Sequence, residues 1–130
     1  MHTILQPPEW ARPKGYSNGI LARGSETIYT GGLVGWDAQG RFTSTDFVGQ
    51  VRTTLENIVA VLTEADAGPE HLVRLTWYIT DKKAYHDNLH AIGRAYREVI
   101  GRHYPAMAVV EVSALMEEQA LVEIEATAVK

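Results

Sequence analysis

The sequence predicts an α+β fold of two layers, a mixed or antiparallel sheet with two helices on one of its faces. Three observations carry that expectation. Stretches of period-two alternation and stretches of helical spacing follow each other in the order β-ββ-α-β-α-ββ. Only two stretches are amphipathic at helical spacing, enough to cover one face of a sheet but not both. A length of 130 residues with 45% hydrophobic and 22% charged content suits one globular domain, spanning 1–130, with a core of its own.

The elements can be justified in order. "HTIL" is a short strand, and Pro7, Pro8 and Pro13 then hold the chain in an extended arm up to Tyr16. "SNGILARGSETIYTGGLV" reads as a hairpin, two strands about the turn Arg23-Gly24-Ser25-Glu26. Gly31 and Gly32 fall inside its second strand, where glycine marks a bulge or a close approach by another group. "WDAQGRFTST" is a turn-rich loop. From Asp46 to about Ala67 the apolar residues Phe47, Val51, Leu55, Ile58, Leu62 and Ala65 recur every three or four positions. They line one side of a helix capped by Ser44, Thr45 or Asp46 and ended by Gly68-Pro69.

"HLVRLTWYIT" alternates strictly, with Val73, Leu75, Trp77 and Ile79 on one side and Arg74, Thr76, Tyr78 and Thr80 on the other. A second helix follows, its buried stripe Tyr85, Leu89, Ile92, Tyr96 and Val99 or Ile100, and Pro105 stops it. "AMAVVEV" and "ALVEIEATAV" are the closing strands. In the last, Val122, Ile124, Ala126 and Ala128 can face the helices, leaving Glu123, Glu125 and Thr127 on the open side with Arg74 and Tyr78. "AMAVVEV" is expected to add Met107 and Val109 to that open side. An apolar strand beside polar ones on an uncovered face suits a subunit interface. The alternative is an edge strand packed by the N-terminal arm.

Composition excludes several functions. Cysteine is absent, which removes disulfides, thiol nucleophiles and thiolate metal sites. No apolar run is long enough to span a membrane, and "MHTILQPPEW" lacks the pattern of a secretory signal, so a cytoplasmic location is expected. The net charge of -4 argues against a nucleic-acid partner. "HDNLH" approximates a zinc-binding helix, with His86 and His90 one turn apart. Both lie well off the apolar stripe and no third ligand accompanies them, so two exposed histidines and no metal are expected. Ser17, Thr30 and Ser113 are nucleophiles only if a base lies beside them. Glu123 is the more interesting group: a carboxylate on a face that becomes buried could do acid–base work or hold a water. Its other reading is a partner for Arg74. Trp36 and Trp77 are expected in the core or an interface.

The stretches "GYSNGI", "IYTGGLVG", "QVRTTLENIVAVLTEADAG", "LVRLTWYITD" and "YPAMAVVEVSALMEEQALVEIEATAV" fall in the order and spacing of the Rid proteins, which this chain resembles. These are the reactive intermediate deaminases, also known as YjgF-type or L-PSP endoribonuclease-like proteins. The resemblance runs from about Lys14 to Val129. It implies a chorismate-mutase-like fold, a homotrimer, and small-molecule sites in the clefts between subunits. It also implies hydrolysis of enamines and imines such as 2-aminoacrylate to ketoacids and ammonia, without metal or cofactor.

Carried over by position, the resemblance makes Tyr16, Gly31 and Gly32 substrate-binding residues of the site wall and Glu123 the catalytic glutamate that orients water. Met107 stands where the family has the arginine that clamps the substrate carboxylate. A guanidinium grips a carboxylate through two parallel charge-assisted hydrogen bonds, and a thioether offers no donor. The sequence therefore points to a divergent imine or enamine deaminase whose pocket favours a larger or more apolar ligand. Lys14, Arg102 and Arg74 are the cations that could replace the missing one. The alternative is a non-catalytic small-molecule-binding trimer, with an endoribonuclease third.

Overall fold

Helix α1, Phe47–Thr63, forms where the spacing expects it. In the computed structural model, which describes residues 2–130, the Asp46 carboxylate accepts from the Gly49 backbone N–H at 2.9 Å and caps the helix. Hydrogen bonds from the Ser44 hydroxyl and the Gly49 N–H hold the Asp46 carboxyl below its usual range. Phe47, Val51, Leu55, Ile58 and Leu62 are all buried. The helix ends earlier than Gly68-Pro69 would dictate, because Asp66 takes a left-handed φ of 53° and turns the chain out.

The strands are β1 Thr3–Leu5, β2 Gly19–Leu21, β3 Thr27–Tyr29, β4 Leu33–Val34, β5 Leu72–Ile79, β6 Ala106–Glu111 and β7 Val122–Val129. The main sheet runs β3-β7-β5-β6, with β4 also on β7. Strands β3, β4 and β5 pair antiparallel with β7, and β6 pairs parallel with β5, so the sheet is mixed. All helices pack on one side of it, giving the expected α+β, chorismate-mutase-like architecture. Along β7 the alternation is obeyed: Val122, Ile124, Ala126 and Ala128 are buried beneath the helices, and Glu123, Glu125 and Thr127 lie on the other face.

Leu55, Ile58, Leu62, Leu75, Val122 and Ile124 have no measurable exposure, and each such side chain contributes about 1.5–3 kcal/mol through burial. Gln50 is the buried polar residue that ties the layers together. Its side-chain N–H donates to the Ser44 and Gln119 carbonyls at 3.1 and 2.8 Å, and its carbonyl accepts from Leu121 N–H at 2.8 Å. It therefore sets where the loop from β6 enters β7.

Four expectations need correction. First, β2 and β3 are not a hairpin: β2 pairs with β1 in a separate two-stranded sheet, and β3 pairs with β7. Gly24 serves the chain end instead, since a Cβ there would lie 2.6 Å from the Lys130 carbonyl, to which Ser25 and Glu26 donate. Second, the second helix is two, α2 Lys82–Asp87 and α3 Leu89–Val99, broken at Asn88. His86 and His90 thus sit on different helices, both exposed, and Leu89 is 53% exposed rather than buried. Third, a bulge at Val73 puts Leu72, 4% exposed, in the core in its place.

The fourth concerns Met107. In the parallel ladder it stands beside Leu75, and Val109 beside Trp77; Leu75 and Trp77 are core residues under the helices. Met107 and Val109 therefore face the helix layer, and both pack against the core. The apolar residues that β6 gives the open face are Ala106, Ala108 and Val110. The arm reaches only the start of β6, through a bridge from Ser17 to Ala106. Among the described residues no helix is long and apolar enough to cross a membrane.

Candidate ligand cleft

A cavity of about 640 Å³ opens between α2, α3, the edge strand β6 and the turn at Lys14–Tyr16. Its floor is Trp77, Met107 and Val109, turned that way by the β5–β6 register. The helices supply Tyr85, Leu89, Ile92 and Tyr96, while Lys14, Tyr16 and Arg97 stand at the rim. Such a volume falls in the range of about 300–1,000 Å³ typical of ligand sites.

Local hydrogen bonds fix the rim. Gly15, with a φ of 81° that other residues rarely adopt, bends the arm between Lys14 and Tyr16. Next to it Ser17 N–H donates to the Pro105 carbonyl at 3.0 Å, and Ser17 Oγ donates to the Tyr104 carbonyl. The Ser17 hydroxyl is thus a structural pin, not a nucleophile. Thr30 is spent likewise, donating to the Gly31 carbonyl and accepting from Ala126 N–H. Tyr96 Oη donates to the His103 carbonyl, and the Tyr96 ring stacks on Tyr104 with centroids 5.6 Å apart. Burial, aided by Tyr104, pushes the Tyr96 hydroxyl far up, and burial also raises Tyr85, so both stay neutral. Trp77 meets Tyr85 edge-on at 6.3 Å. Among the described residues, its indole N–H is the buried side-chain donor with no hydrogen-bond partner.

The open side of the sheet holds the other candidates. Glu123 lies between Val34 on β4 and Tyr78 on β5. Between β3 and β4 the pairing with β7 shifts by one residue, from Tyr29↔Thr127 to Leu33↔Ile124, so the stretch with Gly31 and Gly32 is the expected bulge. A close approach is also present: a Cβ on Gly32 would fall 2.1 Å from Glu123 Oε2. Among the described residues Glu123 makes no ion pair with Arg74. Arg74 instead lines a small recess of about 180 Å³ with Glu125, which accepts from Tyr78 Oη at 3.2 Å.

The five sequence-derived site residues are thus split by the sheet. Tyr16 and Met107 line the cavity; Gly32 meets Glu123 on the opposite face and Gly31 precedes it in the exposed bulge, with β5 between β6 and β7, an offset of about 10 Å at normal strand spacing. Of the three cations considered, Lys14 lines the cavity, Arg74 lies across the sheet and exposed Arg102 is outside the wall. Sequence reasoning missed Arg97. Its trace in the sequence is the helical face Leu89, Ile92, Gly93, Tyr96 and Arg97, where a glycine interrupts bulky residues. Trp36 packs on Phe42 in the loop after β4, away from the core that holds Trp77.

Residues 9–130 match the family model described as Endoribonuclease L-PSP. A RutC family protein of Pyrococcus abyssi is 33% identical over 104 residues, covering 79% of this chain and 78% of its own. Among solved structures, the Rid-family protein of unknown function YyfB from Yersinia pestis superposes with a TM-score of 0.87 at 30% identity, covering 99% of this chain and 98% of that one. TdcF of E. coli, solved with bound serine, gives 0.69 at 27% identity and covers 98% of each chain. At similar identity, the backbone follows the first of these two more closely.

Proposed function

Because this chain belongs to the Endoribonuclease L-PSP family, whose members include the Rid and RutC proteins, we propose that it hydrolyses the C=N bond of an imine or enamine and releases ammonia. The site would be a cleft between subunits of a homotrimer. The observation that carries this reading is the split described above. Among the described residues Tyr16 and Met107 line a cavity that holds no carboxylate, while Glu123 sits against Gly32 on an uncovered sheet face. Burying that face against another copy would bring the second group to the cavity of the first.

In such a cleft the Glu123 carboxylate accepts a hydrogen bond from a water and aims its lone pair at the imine carbon. Addition gives a carbinolamine; proton transfer to nitrogen and loss of ammonia leave the carbonyl. An enamine first takes a proton at carbon. Activated imines need little beyond positioning, so neither metal nor cofactor is required for the step. Met107 cannot grip a carboxylate, which should cost small 2-imino acids about 2–5 kcal/mol of affinity relative to an arginine site. The bound serine in TdcF supports an amino-acid-like ligand in this fold.

The test is ammonia release from 2-aminoacrylate, 2-iminobutyrate and bulkier enamines. Acceleration over buffer, reduced at least about tenfold by Glu123→Ala, is expected. No acceleration with any of them favours the second reading, a non-catalytic ligand-binding trimer, for which Met107 is the specific argument. RNA binding that weakens steeply with salt would instead favour the ribonuclease reading, which the chain's charge of -4 opposes.

A further inference from the structure

The cavity wall has an unusual charge. The chain carries 16 acidic and 12 basic residues, yet no Asp or Glu lines this cavity; its charged residues are Lys14 and Arg97. Neither makes an ion pair with a carboxylate among the described residues. Arg97 is seated by Gly93, four residues earlier on α3: a Cβ there would lie 3.2 Å from its Nη1, so the guanidinium lies back over bare helix at the cavity wall. Lys14 is delivered by the bend at Gly15. Between these cations and the floor the lining is aromatic, with Tyr16, Tyr85, Tyr96, Tyr104 and Trp77, plus the Met107 thioether, which packs well on rings.

We propose that the occupant is an aromatic 2-imino acid or its 2-oxo product, with its ring against the tyrosines and Met107 and its carboxylate on Arg97 and Lys14. This rests on the cavity being the ligand cleft assigned above. The anion grip has moved from the sheet floor, where Met107 stands, to helix α3. A floor without charge then accepts the ring that a clamped small substrate would not bring. Two unpaired cations facing an apolar cavity are what an amphiphilic anion needs, since the charge stays at the wet rim while the ring is dried.

The experiment is calorimetric titration of the whole protein with phenylpyruvate, pyruvate and the neutral phenylacetone. Phenylpyruvate is expected to bind at least about tenfold tighter than pyruvate, through ring burial. It should also bind about tenfold tighter than phenylacetone, through the charge-assisted hydrogen bonds. Arg97→Ala should cut the advantage over phenylacetone severalfold, leaving the share that Lys14 supplies, with phenylacetone affinity changed far less than that of the acid and the circular dichroism spectrum retained. Arg97→Lys should restore part of the advantage, and about 0.5 M salt should shrink it. Equal binding of the acid and the ketone, an acid-to-ketone ratio indifferent to Arg97→Ala, or no binding by any of the three overturns the proposal. Ammonia release measured in parallel separates the two readings. Arg97-dependent binding without hydrolysis keeps the ligand assignment and removes the enzyme. Hydrolysis of aromatic imines that ignores Arg97 does the reverse.

Discussion

The two faces of the sheet are built from the same strands and could hardly differ more. Beneath the helices, Val122, Ile124, Ala126, Leu75 and Trp77 form a dry core that opens at the β6 edge into an aromatic cavity rimmed by two cations. On the other side Arg74, Tyr78, Glu123 and Glu125 share a polar surface with Ala106, Ala108 and Val110. Each face holds half of what the family resemblance assigns to one site. The first is needed for the chain to fold; the second makes sense as a surface that folding leaves for another copy to cover.

The largest expected effect tests that division on adjacent residues of β7. Ile124→Ala should cost about 2–5 kcal/mol of stability in urea titrations, by leaving a cavity in a packed core. Glu125→Ala, one residue away and exposed, should cost no more than about 0.5 kcal/mol. Comparable losses would mean that the open face also holds the single chain together.

A middle-sized effect concerns the helix that dries the first face. Asp46→Ala should cost about 1 kcal/mol at neutral pH by removing the α1 cap. Because the folded-state pKa of Asp46 is lowered, this contribution is present above the ordinary carboxylate value of 3.8 and is lost as pH falls below it. Wild type and variant should therefore converge in stability as the pH is taken progressively below 3.8, as followed by thermal melts. A gap that persists in acid would remove the cap from the explanation.

A small effect on stability is expected at Gly32. Alanine there displaces the Glu123 carboxylate, the far end of a flexible side chain, at a cost below about 1 kcal/mol. Ammonia release should nevertheless fall as it does for Glu123→Ala. Unchanged turnover in Gly32→Ala would detach Glu123 from the chemistry.

What the sequence reveals depends on contrast between neighbouring positions. Helix α1 and strand β7 are legible because apolar and polar residues alternate there with a clear period. In "AMAVVEV" both sides are apolar, so period two carries no information and points Met107 to the wrong face. Only its pairing with Leu75 decides. The break at Asn88 is hidden because the stripe from Tyr85 to Tyr96 continues through it in sequence. Gly24 looks like a hairpin turn because its real neighbour, Lys130, is the far end of the chain. The bulge at Gly31 and Gly32 is legible, since two adjacent residues without side chains weaken a strand unless the backbone bends or a neighbour comes close. Within the candidate site the family resemblance supplies Tyr16, Met107 and Glu123. Arg97 needs the helix packed against the sheet before its position means anything.

The most direct measurement is the mass of the protein in solution by light scattering over a range of concentrations, for wild type and Val110→Asp. A wild-type mass three times that of the chain, falling to one in the variant with its helical content intact, is the expected result. A wild-type protein that stays monomeric at every concentration would leave Glu123 and the cavity on opposite sides of one sheet, and would contradict the shared cleft.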